Sequence, residues 1–422
     1  MSENRQVDEL KSLARLGFDE LRRVTGGIGD VHRAVARRAF RASGRGALPA
    51  RTLHDAISNG VYAGLGGATR VVGIAADTGL GRRAVRDGRR LSASPRGALL
   101  VGALNGLIGD TLEREGSDLH EPMSVRAGGH PVPLDPRALA AAHPDACGRL
   151  VVFVHGLMET EFAWRAGAGP AGETYATRLR RDLGCTPVEV RYNSGRHISE
   201  NGLSLADLVA ELVAEWPADV ESIALVGHSM GGLVARSACY QAAERGDAWV
   251  RHVRHVISLG TPHMGAPLAQ GVHWMSAALG AVPETRPFAR FLRRRSAGIR
   301  DLRQGSLVDA DWRDCDPDAL RAAACQEIPL LKGATHCFVA ATVTRSERDP
   351  IGRLLGDCLV LQPSASGRSR TRRIPFEEEY GAHIGGTHHL ALLNHPKVYE
   401  RMLGWLESDA PRTGAPALPA PG

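Results

Sequence analysis

The amino-acid sequence predicts an α/β fold in which a mostly parallel central sheet carries helices on both faces. Short runs rich in β-branched residues, such as 149–154 and 222–226, alternate with segments that have the periodicity of amphipathic helices, such as 203–216. Strands buried on both faces are continuous apolar runs, and parallel neighbours need a crossover connection, which is usually a helix. The chain of 422 residues is long enough for one large domain with additional segments.

The predicted elements follow one another in a regular order after residue 120. A β-hairpin is expected at 122–134, where two extended arms flank the Gly128-Gly129 turn. The α/β pattern then predicts strands at 149–156, 187–193, 222–229, 253–260 and 336–343, with helices at 173–184, 203–216, from 230 onwards, and at 396–406.

Three segments flank or interrupt this α/β domain, which we place at 119–408. Residues 1–118 have apolar side chains at helical spacing, which indicates an N-terminal helical region that packs, dimerises or contacts lipid. Residues 265–330 contain helical pieces and little strand character, as expected of a cap or lid insertion. The Pro- and Ala-rich tail at 409–422 is expected to be disordered.

The basic character of the chain is carried by arginine. The net charge is +6, but the only lysines are Lys11, Lys332 and Lys397. Arginines cluster at 290–295, where Phe291 is the one aromatic residue, and at 368–373, which has none. With so little aromatic interleaving, we expect no nucleic-acid binding. A solvated face or a weak contact with anionic lipid explains such clusters better.

The cysteines and the apolar segments bear on the compartment. Seven widely spaced cysteines without a CxxC pair favour reduced thiols and a cytoplasmic protein. The N-terminus lacks the apolar core of a signal peptide, and the apolar segments 61–76 and 98–109 are too short or interrupted to span a membrane. We therefore expect a cytoplasmic protein with at most peripheral membrane contact. No residue cluster indicates a metal or cofactor, and the oligomeric state stays open.

The sequence GHSMG at 227–231 predicts a nucleophilic serine. It satisfies the pattern G-x-S-x-G and lies between a predicted strand and the helix that begins at Met230. A tight turn at this point presents the Ser229 hydroxyl at the sheet edge and puts its backbone in a strained conformation. A Cβ atom two residues before or after the serine would collide with backbone, which explains Gly227 and Gly231.

Acyl transfer builds negative charge on a carbonyl oxygen and needs hydrogen-bond donors for it. One expected donor is the N–H of Met230, directly after the nucleophile. The second is expected from the turn after the strand 149–154, where Gly156 permits a close approach and the N–H of Leu157 can face the serine. Met158 is the alternative second donor.

A serine hydroxyl needs a base, and folds with this turn place the triad in the order Ser, acid, His along the chain. His389 is the expected base, because a Gly-Gly turn precedes it and an apolar pattern leading to the last helix follows it; His388 is the alternative. The expected acid is Asp357, which follows a glycine after the strand at 336–343. Glu347 and Asp349 follow the same strand, and Asp349 before Pro350 is explained by a turn.

Polar residues at the carboxyl ends of strands are expected to line the substrate site. They are His155, Gly156, Asn193, His197 and His228. For Asn193 and His197, an ordinary polar loop is an equal alternative, and His155 is also explained by a role in shaping its turn.

Five segments of the chain together resemble the α/β-hydrolase superfamily of lipase and esterase type. They are FVHGL, GHSMGGLVARSA, ISLGTPHMGAPLA, GDCLVLQPSA and HHLALLNHPKVY. The likeness covers about 120–408 and is strongest to bacterial relatives of the GPI inositol deacylases (PGAP1-like). Cys358 stands where that family usually has glycine, and Leu361 where it usually has proline.

The resemblance implies a serine hydrolase that cleaves a carboxylic ester of a small molecule or a lipid, with a Ser229–Asp357–His389 triad and an oxyanion hole at Leu157 and Met230. An acyltransferase or thioesterase would use the same residues. A non-catalytic scaffold that binds a membrane or a partner is the alternative of another class.

Overall fold

The computed structural model describes residues 91–169, 172–266, 295–315, 325–346, 349, 356–369 and 372–407. Its centre is an eight-stranded sheet with the strand order β2-β1-β4-β3-β5-β6-β7-β8. The strands are β1 Ser124–Ala127, β2 His130–Pro131, β3 Arg149–Val154, β4 Thr186–Arg191, β5 Ser222–His228, β6 Val253–Leu259, β7 Thr335–Thr342 and β8 Gly381–Gly385.

Strands β3 to β8 are parallel, and β1 is the one described strand that runs against them, since β2 turns back to their direction. β1 pairs antiparallel with β2 and with β4, whereas the pairs β3–β4, β3–β5, β5–β6, β6–β7 and β7–β8 are parallel. The hairpin turns at Gly128 and Gly129, whose φ angles are +58° and +89°. The predicted fold class, a mostly parallel α/β sheet, and the predicted hairpin are therefore confirmed.

The described α-helices are α1 Pro95–Arg114, α2 Pro136–Ala142, α3 Tyr175–Leu183, α4 Ile198–Glu215, α5 Met230–Arg245, α6 Ala297–Asp301, α7 Gln362–Ala365 and α8 Pro396–Glu407. Short 3-10 helices lie at Leu91–Ala93, Glu161–Arg165, Ala248–His252, Asp309–Asp311, Glu378–Tyr380 and His389–Leu392. None of the helices within the described ranges is long and apolar enough to cross a membrane.

Alternate side chains of the central strands enter two separate cores. Val152 and Val154 belong to the core shared with α4 and α5, whereas Val151 and Phe153 belong to the core shared with α3 and α8. The alternation is that of a pleated strand, and it confirms that helices cover both faces.

Helix α4 and strand β8 are among the elements that differ from the prediction. Helix α4 begins at Ile198, five residues before the predicted start, because Asp301 accepts the N–H of Ile198 at 2.8 Å and Glu200 accepts that of His197 at 3.3 Å. Strand β8 was not predicted, since its sequence GAHIG has only one β-branched residue, yet it pairs with the whole second half of β7.

Helix α1 belongs to the segment predicted as an N-terminal helical region, and it packs directly on loops of the α/β domain. A Cβ atom added to Gly102, Gly106 or Gly109 would lie within 3.0 Å of atoms of residues 158–160 or 193. Residues 1–90 of that region, the cap residues 267–294 and 316–324, and the tail at 409–422 lie outside the described residues.

Candidate active site

Ser229 lies in a strained turn between β5 and α5. Its φ and ψ angles are 53° and −122°, and its N–H donates to the carbonyl oxygen of Leu259 at 2.8 Å. A Cβ atom on Gly227 would lie 2.3 Å from the nitrogen of Gly232, and one on Gly231 would lie 2.1 Å from the carbonyl oxygen of Val154. The predicted strain at the serine and the predicted need for both glycines are confirmed.

Asp357 and His389 form a buried hydrogen-bonded pair. Oδ2 of Asp357 lies 2.7 Å from Nδ1 of His389, and the two residues are 0% and 3% exposed. Oδ1 of Asp357 accepts the N–H groups of Leu359 and Val360, and the N–H of His389 donates to the carbonyl oxygen of Asp357 at 2.9 Å. The loop after β7 thus holds the carboxylate, and the carboxylate holds the imidazole as an Nδ1–H donor.

The imidazole ring of His389 lies beside a neighbour of Ser229, because its centroid is 4.8 Å from that of His228. Nε2 of His389 is buried and has no hydrogen-bond partner in the part of the chain that the structure describes. A Cβ atom on Gly260 would lie 3.1 Å from Cε1 of His389, while the neighbouring Leu259 accepts the N–H of Ser229. No hydrogen bond joins Ser229 Oγ and His389 Nε2 among the described residues, and such bonds are often longer before substrate binds.

The alternative candidates for the base and the acid take no part in the Asp357–His389 pair. His388 is exposed and does not contact Asp357 within the described chain. Asp349 lies in a turn in which its N–H donates to the carbonyl oxygen of Ser346 at 3.2 Å. Glu347 is outside the described residues.

The candidate oxyanion donors differ in whether their backbone N–H groups already donate a hydrogen bond within the protein. The N–H of Met158 donates to Oγ of Ser194 at 3.0 Å, and Met158 has a φ angle of 62°. The N–H groups of Leu157 and Met230 donate to no group within the described ranges. Leu157 and Met230 therefore fit the role better than Met158. We call Gly156–Glu159 the oxyanion loop.

Sequence reasoning missed Glu159, the last residue of the oxyanion loop. One carboxylate oxygen accepts the N–H of Gly156 at 2.7 Å, and both oxygens lie 3.0 Å from Nδ1 of His228. Burial by itself lowers the pKa of His228 and raises that of Glu159. Their mutual attraction and hydrogen bond outweigh burial, so the pKa of His228 is raised and that of Glu159 is lowered. The signal in the sequence is an acid three residues after Gly156, but its partner is 69 residues away.

Several residues expected to contact substrate are enclosed by protein instead, which corrects those expectations. His155 is 0% exposed, its Nδ1 lies 2.9 Å from the Gly156 carbonyl oxygen, its Nε2 accepts the N–H of Tyr192, and burial lowers its pKa to about 4. His228 is also 0% exposed. Asn193 donates to the carbonyl oxygen of Gly109 and accepts the N–H of Gly195, so it ties helix α1 to this loop.

The other two expected contacts also have structural partners. His197 stacks on Trp312 with ring centroids 3.6 Å apart and lies 3.1 Å from both carboxylate oxygens of Asp301. Gly156 gives its N–H to Glu159, and a Cβ atom there would lie 3.0 Å from Cβ of Ser229. A side chain at position 156 would thus crowd Ser229, which explains the glycine beside the serine. Within the described ranges, no group of three or more His, Cys, Asp or Glu side chains could hold a metal ion.

The chain is similar to one family model and to several solved structures. The family model of the PGAP1-like alpha/beta domain matches residues 145–279, which confirms the predicted resemblance over that range. The Bacillus licheniformis lipase BlEst2 in its propeptide form is 19% identical in sequence to the present chain, with a TM-score of 0.39. The match covers 67% of the present chain and 54% of the lipase chain. The chain thus spans about half the length of that structure.

Two further solved structures give similar values. The mature form of the same lipase is 20% identical over 67% of this chain and 99% of that chain, with a TM-score of 0.38. An esterase of Pyrobaculum calidifontis is 15% identical over 62% of this chain and 76% of that chain, with a TM-score of 0.35. A comparison with curated proteins found no match.

Proposed function

We propose that the protein is a serine hydrolase that cleaves carboxylic esters through an acyl-enzyme on Ser229. The observation that carries this proposal is the buried pair of Asp357 Oδ2 and His389 Nδ1, 2.7 Å apart. Nε2 of that histidine has no partner among the described residues, and its ring lies 4.8 Å from the ring of His228, the residue before Ser229. A strained serine next to a carboxylate-oriented imidazole is the arrangement that activates a hydroxyl for acyl transfer.

In acylation, Oγ of Ser229 attacks the ester carbonyl carbon while its proton passes to Nε2 of His389. The carbonyl π electrons move to the oxygen, and the resulting oxyanion accepts the N–H groups of Leu157 and Met230. When the tetrahedral intermediate collapses, the C–O bond to the alcohol breaks and His389 returns its proton to that leaving oxygen. Asp357 keeps the Nδ1–H tautomer and stabilises the imidazolium without taking the proton.

In deacylation, water replaces the alcohol and the same groups act again. Nε2 of His389 takes a proton from the water, the water oxygen bonds to the acyl carbon, and the bond to Oγ breaks as the proton returns to the serine. Each oxyanion donor in comparable sites contributes about 2.7–4 kcal/mol to the stabilisation of these intermediates.

The side chains beside the acid and the base favour an apolar substrate. Leu359, two residues after Asp357, and Leu390, directly after His389, are 39% and 52% exposed. Exposed large apolar side chains so near the acid and the base in the chain are suited to contact an acyl chain. They support an ester with an apolar acyl group over a charged substrate.

The test compares Ser229→Ala with Ser222→Ala, a serine at the opposite end of the same strand. Wild type should hydrolyse p-nitrophenyl butyrate and form a covalent adduct with a fluorophosphonate probe. Ser229→Ala should lose the adduct and lower kcat by at least about 10⁴-fold, whereas Ser222→Ala should keep both. Wild type that neither turns over esters nor binds the probe covalently would refute the proposal and favour a scaffold.

Hydrolysis and acyl transfer differ in the acceptor of the acyl group. Product analysis with an added alcohol distinguishes them: free acid as the main product indicates hydrolysis, and a new ester indicates transfer. A parallel assay with acyl thioesters tests the thioesterase alternative.

A further inference from the structure

We propose that Glu159 and His228 form a buried ion pair that positions the oxyanion loop and the base relative to Ser229, an inference that rests on the function proposed above. Neither residue would touch the reacting atoms. They are positioning residues, and they connect three segments that supply the site: the oxyanion loop, the end of β5 and the 3-10 helix that begins at His389.

The first step concerns the protonation of His228. Its Nδ1 lies 3.0 Å from the carboxylate of Glu159, and its Nε2 lies 3.4 Å from the carbonyl oxygen of His389. Both ring nitrogens therefore face acceptors, and an imidazole satisfies two acceptors only when both nitrogens carry a proton. The geometry favours an imidazolium at position 228, directly before the nucleophile.

The second step concerns the oxyanion loop. Glu159 accepts the N–H of Gly156 at 2.7 Å, and the N–H of Glu159 donates to the carbonyl oxygen of Gly156 at 3.3 Å. Met158 is held by Ser194 at 3.0 Å. Leu157 lies between these two fixed residues, so the direction of its N–H depends on the Glu159 carboxylate staying where His228 holds it.

The third step excludes other roles for the pair. His228 is 0% exposed and both its nitrogens are bonded, so it neither binds substrate nor replaces His389 as base. The Glu159 side chain is 13% exposed and is bonded to Gly156 and His228. Its remaining function is to join the oxyanion loop to the turn that carries Ser229.

The fourth step concerns charge, because a cation near the base opposes its protonation. The rings of His228 and His389 are 4.8 Å apart. The charged or titratable groups that face the pair are Asp357 and His389 on one side and His155 on the other. The Glu159 carboxylate compensates the charge of His228, and this allows His389 to accept a proton during acylation.

This charge balance has a definite pH dependence. The pKa of His228 is raised above 6.5, and that of Glu159 is lowered below 4.5. The ion pair is therefore intact between the lowered pKa of Glu159 and the raised pKa of His228, and it is lost as the pH rises through the pKa of His228. In Glu159→Gln the attraction is gone and burial lowers the pKa of His228. The alkaline limb of kcat should then move to lower pH.

The experiment measures kcat, KM and their pH profiles for p-nitrophenyl butyrate hydrolysis by wild type, Glu159→Gln, Glu159→Asp and Glu121→Gln. Glu121 is a matched control: its carboxylate is buried, pairs with Arg126 and Arg191, and contacts no residue of the oxyanion loop among the described residues. Thermal unfolding shows whether each variant is folded. Imidazole ¹⁵N NMR, assigned with His228→Asn, measures the protonation of His228 without any substrate.

We expect Glu159→Gln to lower kcat about tenfold to a hundredfold, as a displacement of about 1 Å in a catalytic donor does. KM should change less than about threefold, the alkaline limb should move to lower pH, and Glu159→Asp should restore part of kcat. NMR of wild type at neutral pH should show both nitrogens of His228 protonated. Glu121→Gln should lower the melting temperature without a change in the pH profile.

Two results would overturn the inference. One is an active wild type whose Glu159→Gln variant keeps kcat and the pH profile. The other is a neutral His228 at neutral pH. An inactive wild type with a charged His228 contradicts the proposed function but leaves the ion pair standing, so the two failures are distinguishable.

Discussion

A methyl group added at Gly106 should disturb catalysis from the far side of the oxyanion loop. Gly106 lies on α1, and a Cβ atom there would lie 2.4 Å from Cγ, 2.8 Å from N and 2.9 Å from Cα of Met158. Ordinary contacts of a Cβ atom are 3.4–4 Å, and two of these three atoms are backbone. The Met158 backbone must therefore move by about 0.6 Å, the difference between 3.4 and 2.8, or α1 must move away from it.

The energy of this change has two opposing parts. Alanine in a helix is favoured over glycine by about 1 kcal/mol, and overpacking costs about 1–3 kcal/mol. Gly106→Ala should therefore change the free energy of unfolding by between about 0 and −2 kcal/mol. The same shift loosens the bond from the Met158 N–H to Ser194 and turns the neighbouring Leu157 N–H, so kcat should fall about tenfold to a hundredfold.

The matched control is Gly404→Ala in α8, because a Cβ atom on Gly404 has no heavy atom within 4 Å. This variant should gain about 0.5–1 kcal/mol of stability and keep its kcat. Urea unfolding measures the stability of both variants, and p-nitrophenyl butyrate hydrolysis measures kcat. A Gly106→Ala protein with wild-type kcat would refute the view that α1 supports the oxyanion loop.

Two further predictions concern the acid and base loops. His389→Ala should lower kcat by about 10⁴-fold or more, whereas His388→Ala should keep kcat near the wild-type value, since His389 is the histidine of the two that is paired with Asp357. The reverse result would assign the role of base to His388. Cys358→Gly should raise the free energy of unfolding by about 0.5–1 kcal/mol, because Cys358 has a φ angle of 83°, a region that costs a residue with a side chain about 1–2 kcal/mol. Cys315→Gly, whose residue is not at positive φ, should be destabilised instead, and urea unfolding of both variants compares them.

The parts of the site that were predictable are those with a local cause. The turn at Ser229 needs two glycines at fixed spacing, and the strand before it is long and apolar, so both were predicted and are present. The start of α4 was missed because Asp301, 103 residues away, accepts its first N–H, that of Ile198. Strand β8 was missed because its pairing with β7 stabilises a segment with little strand propensity.

The residues expected at the substrate site show the same limit. Asn193 and His155 stand at carboxyl ends of strands, where polar side chains commonly meet a ligand, but here other protein groups use them. For Asn193 the reason is helix α1, which covers the loop and leaves backbone groups that the amide satisfies. Nothing near position 193 in the sequence indicates that a helix some 85 residues earlier lies over it.

The two carboxylate–histidine pairs beside Ser229 show how one pair of residue types can take two roles. Asp357–His389 and Glu159–His228 each join a carboxylate to Nδ1. The difference is at Nε2. In His389 this nitrogen has no partner within the described ranges and can take a proton, whereas in His228 it faces a carbonyl oxygen at 3.4 Å, which favours a protonated nitrogen. The group that faces the second ring nitrogen thus makes one histidine the proposed base and the other a fixed cation. A sequence shows both histidines but not that group, because it comes from another part of the chain.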